Sequence, residues 1–306
     1  MTERAVLRQG LVVANHGRHI LVETPEAERL ICHPRGKKSQ AVVGDQVMWQ
    51  GSHDEGTIEK VLPRRNLFYR QDEIRTKSFA ANLDQVLILV AADPEFSEKQ
   101  LARALIAAEA ERISPLIALN KSDLVAPFEQ AWERLLPYRR MGYAVLPLAL
   151  RLSRDGDRAQ LHQHLAGKTT LVLGPSGAGK STLINLLVPQ AKALTGEISQ
   201  ALSAGKHTTT ATTWYWVDEG RETGLIDSPG FQEFGLHHVD PMNLATLMPD
   251  LRPHIAQCRF YNCSHMHEPG CGVQAAVAEK APATGIQPSR YRIYRSLFEE
   301  LSQPRY

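Results

Sequence analysis

Eight consecutive residues, Gly174-Pro175-Ser176-Gly177-Ala178-Gly179-Lys180-Ser181, limit what this chain can fold into more than any other stretch. They fit G-x-x-x-x-G-K-[ST], with an apolar strand before them at 169–173 (TTLVL) and a helix after them (STLINLL). Glycines there let the backbone wrap a chain of phosphates, and successive N–H groups at the helix start point at the anion. Lys180 is placed to neutralise the β and γ phosphates, the Ser181 hydroxyl to bind magnesium, and Thr182 to extend the cradle. A coincidental glycine-rich turn is the competing reading, and both flanks count against it.

A phosphate loop serves ATP and GTP alike, so the base must be read elsewhere. Asn120-Lys121-Ser122-Asp123 closes an apolar strand at 114–119, at the carboxyl edge of the sheet where open α/β folds bind ligands. Asp123 can accept from the N1 and N2 donors that guanine has and adenine lacks, and Lys121 can lie along the base plane. Alone the tetrapeptide is also a plain polar turn; beside a phosphate loop it speaks for GTP and against an ATPase or kinase.

A third element, Asp227-Ser228-Pro229-Gly230, follows the strand at 224–226 and lies 47 residues after Lys180. Asp227 is expected to hold a magnesium-bound water and the Gly230 N–H to approach the γ-phosphate, so that hydrolysis releases the loop. Between them, Gly205-Lys206-His207-Thr208-Thr209-Thr210 offers hydroxyls for the last magnesium position; the spacing does not select one, and Thr209 is the expectation. The position after Gly230, where small GTPases commonly carry a water-orienting Gln, holds Phe231. His207 is the substitute, a neutral imidazole able to orient water once its loop closes. Because 120–123 come before 174–181, the order is that of a circularly permuted GTPase.

The rest of the chain fits around this centre. Residues 10–67 read as four or five short strands with turns at Asn15-His16-Gly17, Gly44-Asp45 and 51–56, the pattern of a small barrel such as the OB-fold, although other small barrels fit the pattern equally. From 84 the rhythm becomes strand then helix, which means a mostly parallel sheet covered by helices. The expected units are therefore 1–72, an RNA- or ribosome-binding barrel; 73–234, the GTPase domain; and 235–306, a helical metal-binding unit ending in a helix near 288–301. Net charge is only +2, and residues 1–77, with 13 Lys plus Arg against 10 Asp plus Glu, hold the basic excess. Arg64, Arg65 and Arg70 beside Phe68 and Tyr69 suit looped RNA, if those aromatics are not core. The longest apolar run, 86–92, is far too short to cross a bilayer, and the amino terminus has no signal-peptide pattern, so a cytoplasmic protein without membrane attachment is expected.

Three of the four cysteines cluster as C-x4-C-x-H-x5-C, formed by Cys258, Cys263, His265 and Cys271. Three thiolates and an imidazole are zinc's preferred ligands, and four protein ligands leave no open position, so the role is structural. His267 is a rival fourth ligand by spacing. Cys32 stands alone in a predicted strand and reads as an inert core residue.

The permuted order, the amino-terminal barrel, the RG and VGD stretches at Arg35 and Val43, AANLDQ at Ala80 and the Cys/His module together closely resemble the RsgA/YjeQ family of circularly permuted, ribosome-associated GTPases, over nearly the whole chain. That resemblance selects His265 over His267, favours His207, and implies GTP hydrolysis to GDP and phosphate, stimulated by the small ribosomal subunit and its rRNA late in subunit maturation. A monomer is expected. One departure lies at 147–150, where the family usually backs the guanine with a Ser-Ala pair; Ala149 is the residue expected to keep the backbone contact. Without a Gln or an evident arginine finger, the free protein should turn over at roughly 10⁻⁴ to 10⁻² per second. The alternative is an RNA-binding module that GTP regulates and in which hydrolysis is incidental.

Overall fold

A computed structural model of the chain describes residues 6–17, 19–36, 41–52, 55–73, 75–191, 212–229, 231, 234–278 and 285–303. The first five strands are β1 (Arg8–His16), β2 (His19–Glu23), β3 (Arg29–Pro34), β4 (Gln46–Ser52) and β5 (Glu55–Val61). They pair in the closed order β1-β2-β3-β5-β4-β1, with β3 and β5 parallel and the other neighbours antiparallel. This is the five-stranded barrel of an OB-fold. Alternation sends Val12, Ile20, Val22, Cys32, Val47, Trp49 and Ile58 into its core. Burial pushes the Cys32 thiol up to about 12, as an inert core residue requires.

A hairpin follows, β6 (Leu67–Gln71) with β7 (Thr76–Ala81). The connection to the barrel is stitched by polar side chains. Asp45, fully buried, takes two hydrogen bonds from Arg64, at 2.7 and 2.8 Å, and one from the Val42 N–H. Asn82 donates to the Gly44 carbonyl and accepts from the Arg65 N–H. Gly44 has φ 91° and lies so close to Ala81 that an added Cβ would sit 2.2 Å from its carbonyl oxygen, so no other residue fits that turn. These contacts explain the VGD and AANLDQ stretches as structural joints.

The central sheet runs β10 (Ala144–Pro147), β9 (Ser114–Asn120), β8 (Gln85–Ala91), β11 (Thr169–Leu173), β13 (Gly224–Asp227) and β12 (Thr213–Trp216). All are parallel except β12, which turns back antiparallel on β13. β8 is buried along its whole length, as a strand covered on both faces must be. The helices are α1 (Glu98–Ala110), α2 (Val125–Arg134), α3 (Leu136–Arg140), α4 (Arg154–Leu165) and α5 (Lys180–Leu187). Ser97 caps α1 by accepting from the Gln100 N–H. Sequence reading found the strands and helices that carry the motifs but missed the β6–β7 hairpin, α4 and β12, whose TWYW run lies at the end of a Ser- and Thr-dense stretch. β12 also meets the barrel, pairing Thr213 with Ala14 of β1, so barrel and central sheet form one continuous eleven-stranded sheet.

Beyond the sheet come a 3-10 helix (Pro241–Leu247) capped by Asp240, then α6 (Arg252–Ile255), α7 (Gly272–Ala278) and α8 (Pro288–Leu301). α8 is anchored from below by Arg290, which is 2% exposed, bonds Asp250 at 2.8 Å and lies over the Tyr138 ring. Arg103 of α1 bonds both Glu300 and the Phe234 carbonyl, tying the last helix to the central domain.

Candidate active site

The phosphate loop lies between the end of β11 and the start of α5, as its sequence requires. Gly177 and Gly179 have φ of 82° and 101°, a region side chains rarely occupy. A Cβ on Gly179 would fall 2.4 Å from the Asn120 amide nitrogen, and one on Gly174 would fall 2.6 Å from the Leu89 carbonyl oxygen. Ala178 is buried, whereas Ser176 and Gly177 face outward, so the loop offers its backbone to a ligand. Pro175 and Thr182 are half-buried on either side, and Ser181 is exposed in the first turn of α5, open to a cation.

Asn120, 5% exposed at the end of β9, joins the two halves of the pocket. Its side-chain amide donates to the Ala178 carbonyl at 2.9 Å and its oxygen accepts from the Leu150 N–H at 3.2 Å. Lys121 takes a left-handed turn, φ 68°, and its ammonium meets the Asp93 carbonyl. The Ser122 N–H donates to the Leu148 carbonyl, and Asp123 is exposed just beyond. The tetrapeptide and the phosphate loop, some 50 residues apart in sequence, are thus one hydrogen-bonded unit. The segment at 147–150 that departs from Ser-Ala lies beside both.

Lys180 and Asp227 form an ion pair, each less than one-fifth exposed. Ser228 shares a hydrogen bond with Thr212 at 2.9 Å, and the Pro229 carbonyl accepts from Lys77 of β7 at 2.9 Å. Phe231 is 3% exposed and packs toward Phe234, which meets Phe68 and Phe79 of the hairpin. The residue standing where a Gln would orient water therefore points into the core. Phe68 itself is fully buried, which removes it as an RNA-stacking surface, while Tyr69 is half-buried against His238. The basic crowd is also less free than its sequence suggested. Arg64 bonds Asp45, Arg65 bonds Asp84 and Arg70 lies 3.8 Å from Asp72. His207, Thr209 and Gly230 lie outside the described residues.

The candidate metal centre is a separate unit. Among the described residues one group could hold a metal ion: Cys258 Sγ, Cys263 Sγ, a ring nitrogen of His265 and Cys271 Sγ, all within 4.8 Å of one another. Cys258 and Cys271 each lie 3.4 Å from His265 Nδ1 and 3.9 Å apart. A tetrahedral zinc with bonds of about 2.3 Å to sulfur needs sulfur–sulfur edges of about 3.8 Å. His267 is exposed and lies outside the group. Burial pushes the Cys263 thiol up to about 12, a cost that a dication holding thiolates would offset. The ligand loop is held from outside: Tyr291 and Tyr294 of α8 donate to the His265 and Ser264 carbonyls, both at 2.7 Å. Glu268 is partly buried, yet hydrogen bonds from Ser264, Met266 and His267 hold its carboxyl down to about 2.

A phosphate loop bonded to a guanine-type tetrapeptide that precedes it in the chain, on a mostly parallel sheet, defines a circularly permuted GTP hydrolase of the phosphate-loop class. The chain belongs to the RsgA GTPase family, whose family model matches residues 61–237. A curated relative from Variovorax paradoxus, named small ribosomal subunit biogenesis GTPase RsgA, is 73% identical over all of this chain and 96% of its own length. A protein of the same name from Burkholderia pseudomallei is 51% identical over 96% of this chain and 93% of its own. Among solved structures, YjeQ from Thermotoga maritima superimposes with a TM-score of 0.75 at 29% identity, over 98% of this chain and all of that one. YloQ, described as a circularly permuted GTPase, gives 0.72 at 25% identity, over 100% and 99%.

Proposed function

We propose that this GTPase acts in late maturation of the small ribosomal subunit, hydrolysing GTP to GDP and phosphate when it docks there. The hydrogen bond from Asn120 to Ala178 carries the nucleotide half of this reading, because it fixes the base-reading strand against the phosphate-binding loop. The names of the relatives supply the ribosomal half. The working parts are the barrel within 1–72, the GTPase domain within 73–234 and the metal-binding unit within 235–306, with the β6–β7 hairpin straddling the first boundary. Barrel and metal-binding unit contact rRNA and protein on the subunit; the protein works as a cytoplasmic monomer, and no helix among the described residues is long and apolar enough to cross a membrane.

In this reading Asp123 accepts from the guanine, Lys121 flanks it, and Ser122 and Asn120 set the depth of the pocket. Residues Gly174 to Thr182 wrap the phosphates, every one but Pro175 with an N–H to offer, and Lys180 turns from Asp227 to the β and γ oxygens. Ser181 and Thr209 are the residues that would hold magnesium, and Asp227 a water bound to it; the ion when bound neutralises charge building on the phosphates. The Gly230 N–H approaches the γ-phosphate and His207 orients the attacking water. Cys258, Cys263, His265 and Cys271 hold a structural zinc. His207→Ala tests the assignment: turnover on the subunit should fall by at least about 10²-fold with GTP affinity unchanged. Unchanged turnover would remove His207 from the chemistry and favour the module in which hydrolysis is incidental.

A further inference from the structure

The strap that connects β10 to α4 has no polar side chain where it faces the base-reading tetrapeptide: it runs Pro147, Leu148, Ala149, Leu150. No side chain from Pro147 to Leu150 can brace it, and the bonds it makes within itself are turn bonds at its far end, from the Leu152 and Ser153 N–H groups to the Ala149 carbonyl; its three successive amides, at Leu148, Ala149 and Leu150, are held by other segments. The Leu148 N–H bonds the Leu119 carbonyl of β9, and the Leu150 N–H bonds the Asn120 side chain. The Ala149 N–H between them reaches away from β9 and donates to Asp157 at 2.8 Å.

Asp157 is an unusual residue for its place. The buried face of α4 is Asp157, Leu161 and Leu165, spaced four apart, so a carboxylate heads an otherwise apolar stripe. It is 5% exposed, and the Ala149 N–H is the hydrogen bond its side chain makes. Burying a carboxylate is unfavourable unless the group is held by donors, and an apolar residue would be cheaper for packing alone. Burial raises the Asp157 carboxyl above its ordinary range, and the Ala149 N–H opposes that rise. The strap it holds leads directly to both halves of the nucleotide site. The Leu148 carbonyl accepts from Ser122, and Leu150 packs where a Cβ on Gly179 would lie 3.6 Å from it.

We infer that Asp157 is a positioning residue for base selection: it takes over, from outside the strap, the bracing that Pro147 to Leu150 lack, and so fixes the wall against which guanine is read. The inference deepens the guanine reading at Asn120 to Asp123 and rests on it. A loose strap would blur the fit of the base, while the phosphate loop, which Leu150 only touches near Gly179, keeps its own bracket in the bond from Asn120 to the Ala178 carbonyl.

The test compares GDP, ADP and inorganic tripolyphosphate binding by calorimetry for the full chain and for Asp157→Ala, Asp157→Asn and Asp123→Ala. Removing a charged acceptor from a buried N–H should weaken GDP binding roughly ten- to hundredfold. Tripolyphosphate should change by less than about twofold, since it reports the phosphate loop alone. The preference for GDP over ADP should drop with GDP affinity, and Asp157→Asn, which keeps an acceptor oxygen, should restore much of it. Equal weakening of GDP and tripolyphosphate in Asp157→Ala would make the residue merely structural and overturn the inference. So would an unchanged GDP-over-ADP ratio when Asp123→Ala abolishes that ratio. If Asp123→Ala also leaves the ratio intact, the guanine reading itself fails and takes this inference with it.

Discussion

The ammonium of Lys180, in the first turn of α5, and the carboxylate of Asp227, at the end of β13, face each other, each closed off by the ion pair it makes with the other. Under the proposed function, the cation assigned to the phosphates is thus neutralised by the anion assigned to a magnesium-bound water. On that proposal, a nucleotide that binds through Lys180 competes with Asp227 for it.

Asp227→Asn frees Lys180. Without magnesium, binding of GDP or tripolyphosphate should tighten by about fivefold, the worth of a pair at the upper end of partly exposed ones. The strengthening of GTP binding by magnesium, and hydrolysis, should fall in the same variant. Titrations with and without the cation read both signs at once; weaker binding in each would show that Asp227 shapes the loop rather than competing for Lys180.

Asn120→Ala leaves the Ala178 carbonyl and the Leu150 N–H without a partner in a buried place. Each orphaned group costs about 1–3 kcal/mol, so a stability loss of about 2–6 kcal/mol is expected in denaturant titrations. Because both halves of the pocket lose their bracket, GDP and tripolyphosphate should weaken together, unlike the pattern expected for Asp157.

Phe231→Gln restores the side chain that many GTPases use to orient water, yet it should not raise basal turnover. Phe231 is buried beside Phe234, so the change should cost about 3 kcal/mol, as large core truncations do. Faster hydrolysis at unchanged melting temperature would place residue 231 over the nucleotide instead.

His238 sits against Tyr69 of the hairpin, and neither ring nitrogen finds a partner among the described residues. Burial, helped by neighbouring His237, pulls its pKa down to about 4 from 6.5. The folded state therefore resists a proton that the unfolded state accepts below 6.5, and stability from this group is full above that pH and lost as pH falls toward 4. His238→Leu should flatten the stability profile in that window by on the order of 1–2 kcal/mol, after allowing for partial solvent screening. An unchanged slope from pH 7 to 4 would contradict it.

What the sequence made legible was what is local. The phosphate loop declares itself because its glycines, lysine and flanking strand and helix are contiguous, and the Cys/His spacing does the same for the metal centre. The order of 120–123 and 174–181 was enough to reveal the permutation. What stayed hidden depends on contacts between distant segments. Nothing near Arg64 announces that Asp45 consumes it, and nothing near Phe231 announces the Phe68, Phe79 and Phe234 cluster that draws it inward. The pairing of β12 with the barrel rests on one register pair, Ala14 with Thr213. Asp157 did leave a trace, a charge at the head of the stripe Leu161 and Leu165 continue, but only the structure gives it Ala149 as a partner.

A ribosome-activated GTPase is tested most directly by one measurement: GTP turnover by the zinc-loaded protein alone, with isolated small ribosomal subunits, and with large subunits. Basal hydrolysis should be slow, on the order of 10⁻⁴ to 10⁻² per second, and rise by orders of magnitude, up to about 10⁵-fold, with small subunits only. Turnover that stays flat with small subunits, or rises equally with large ones, would contradict it.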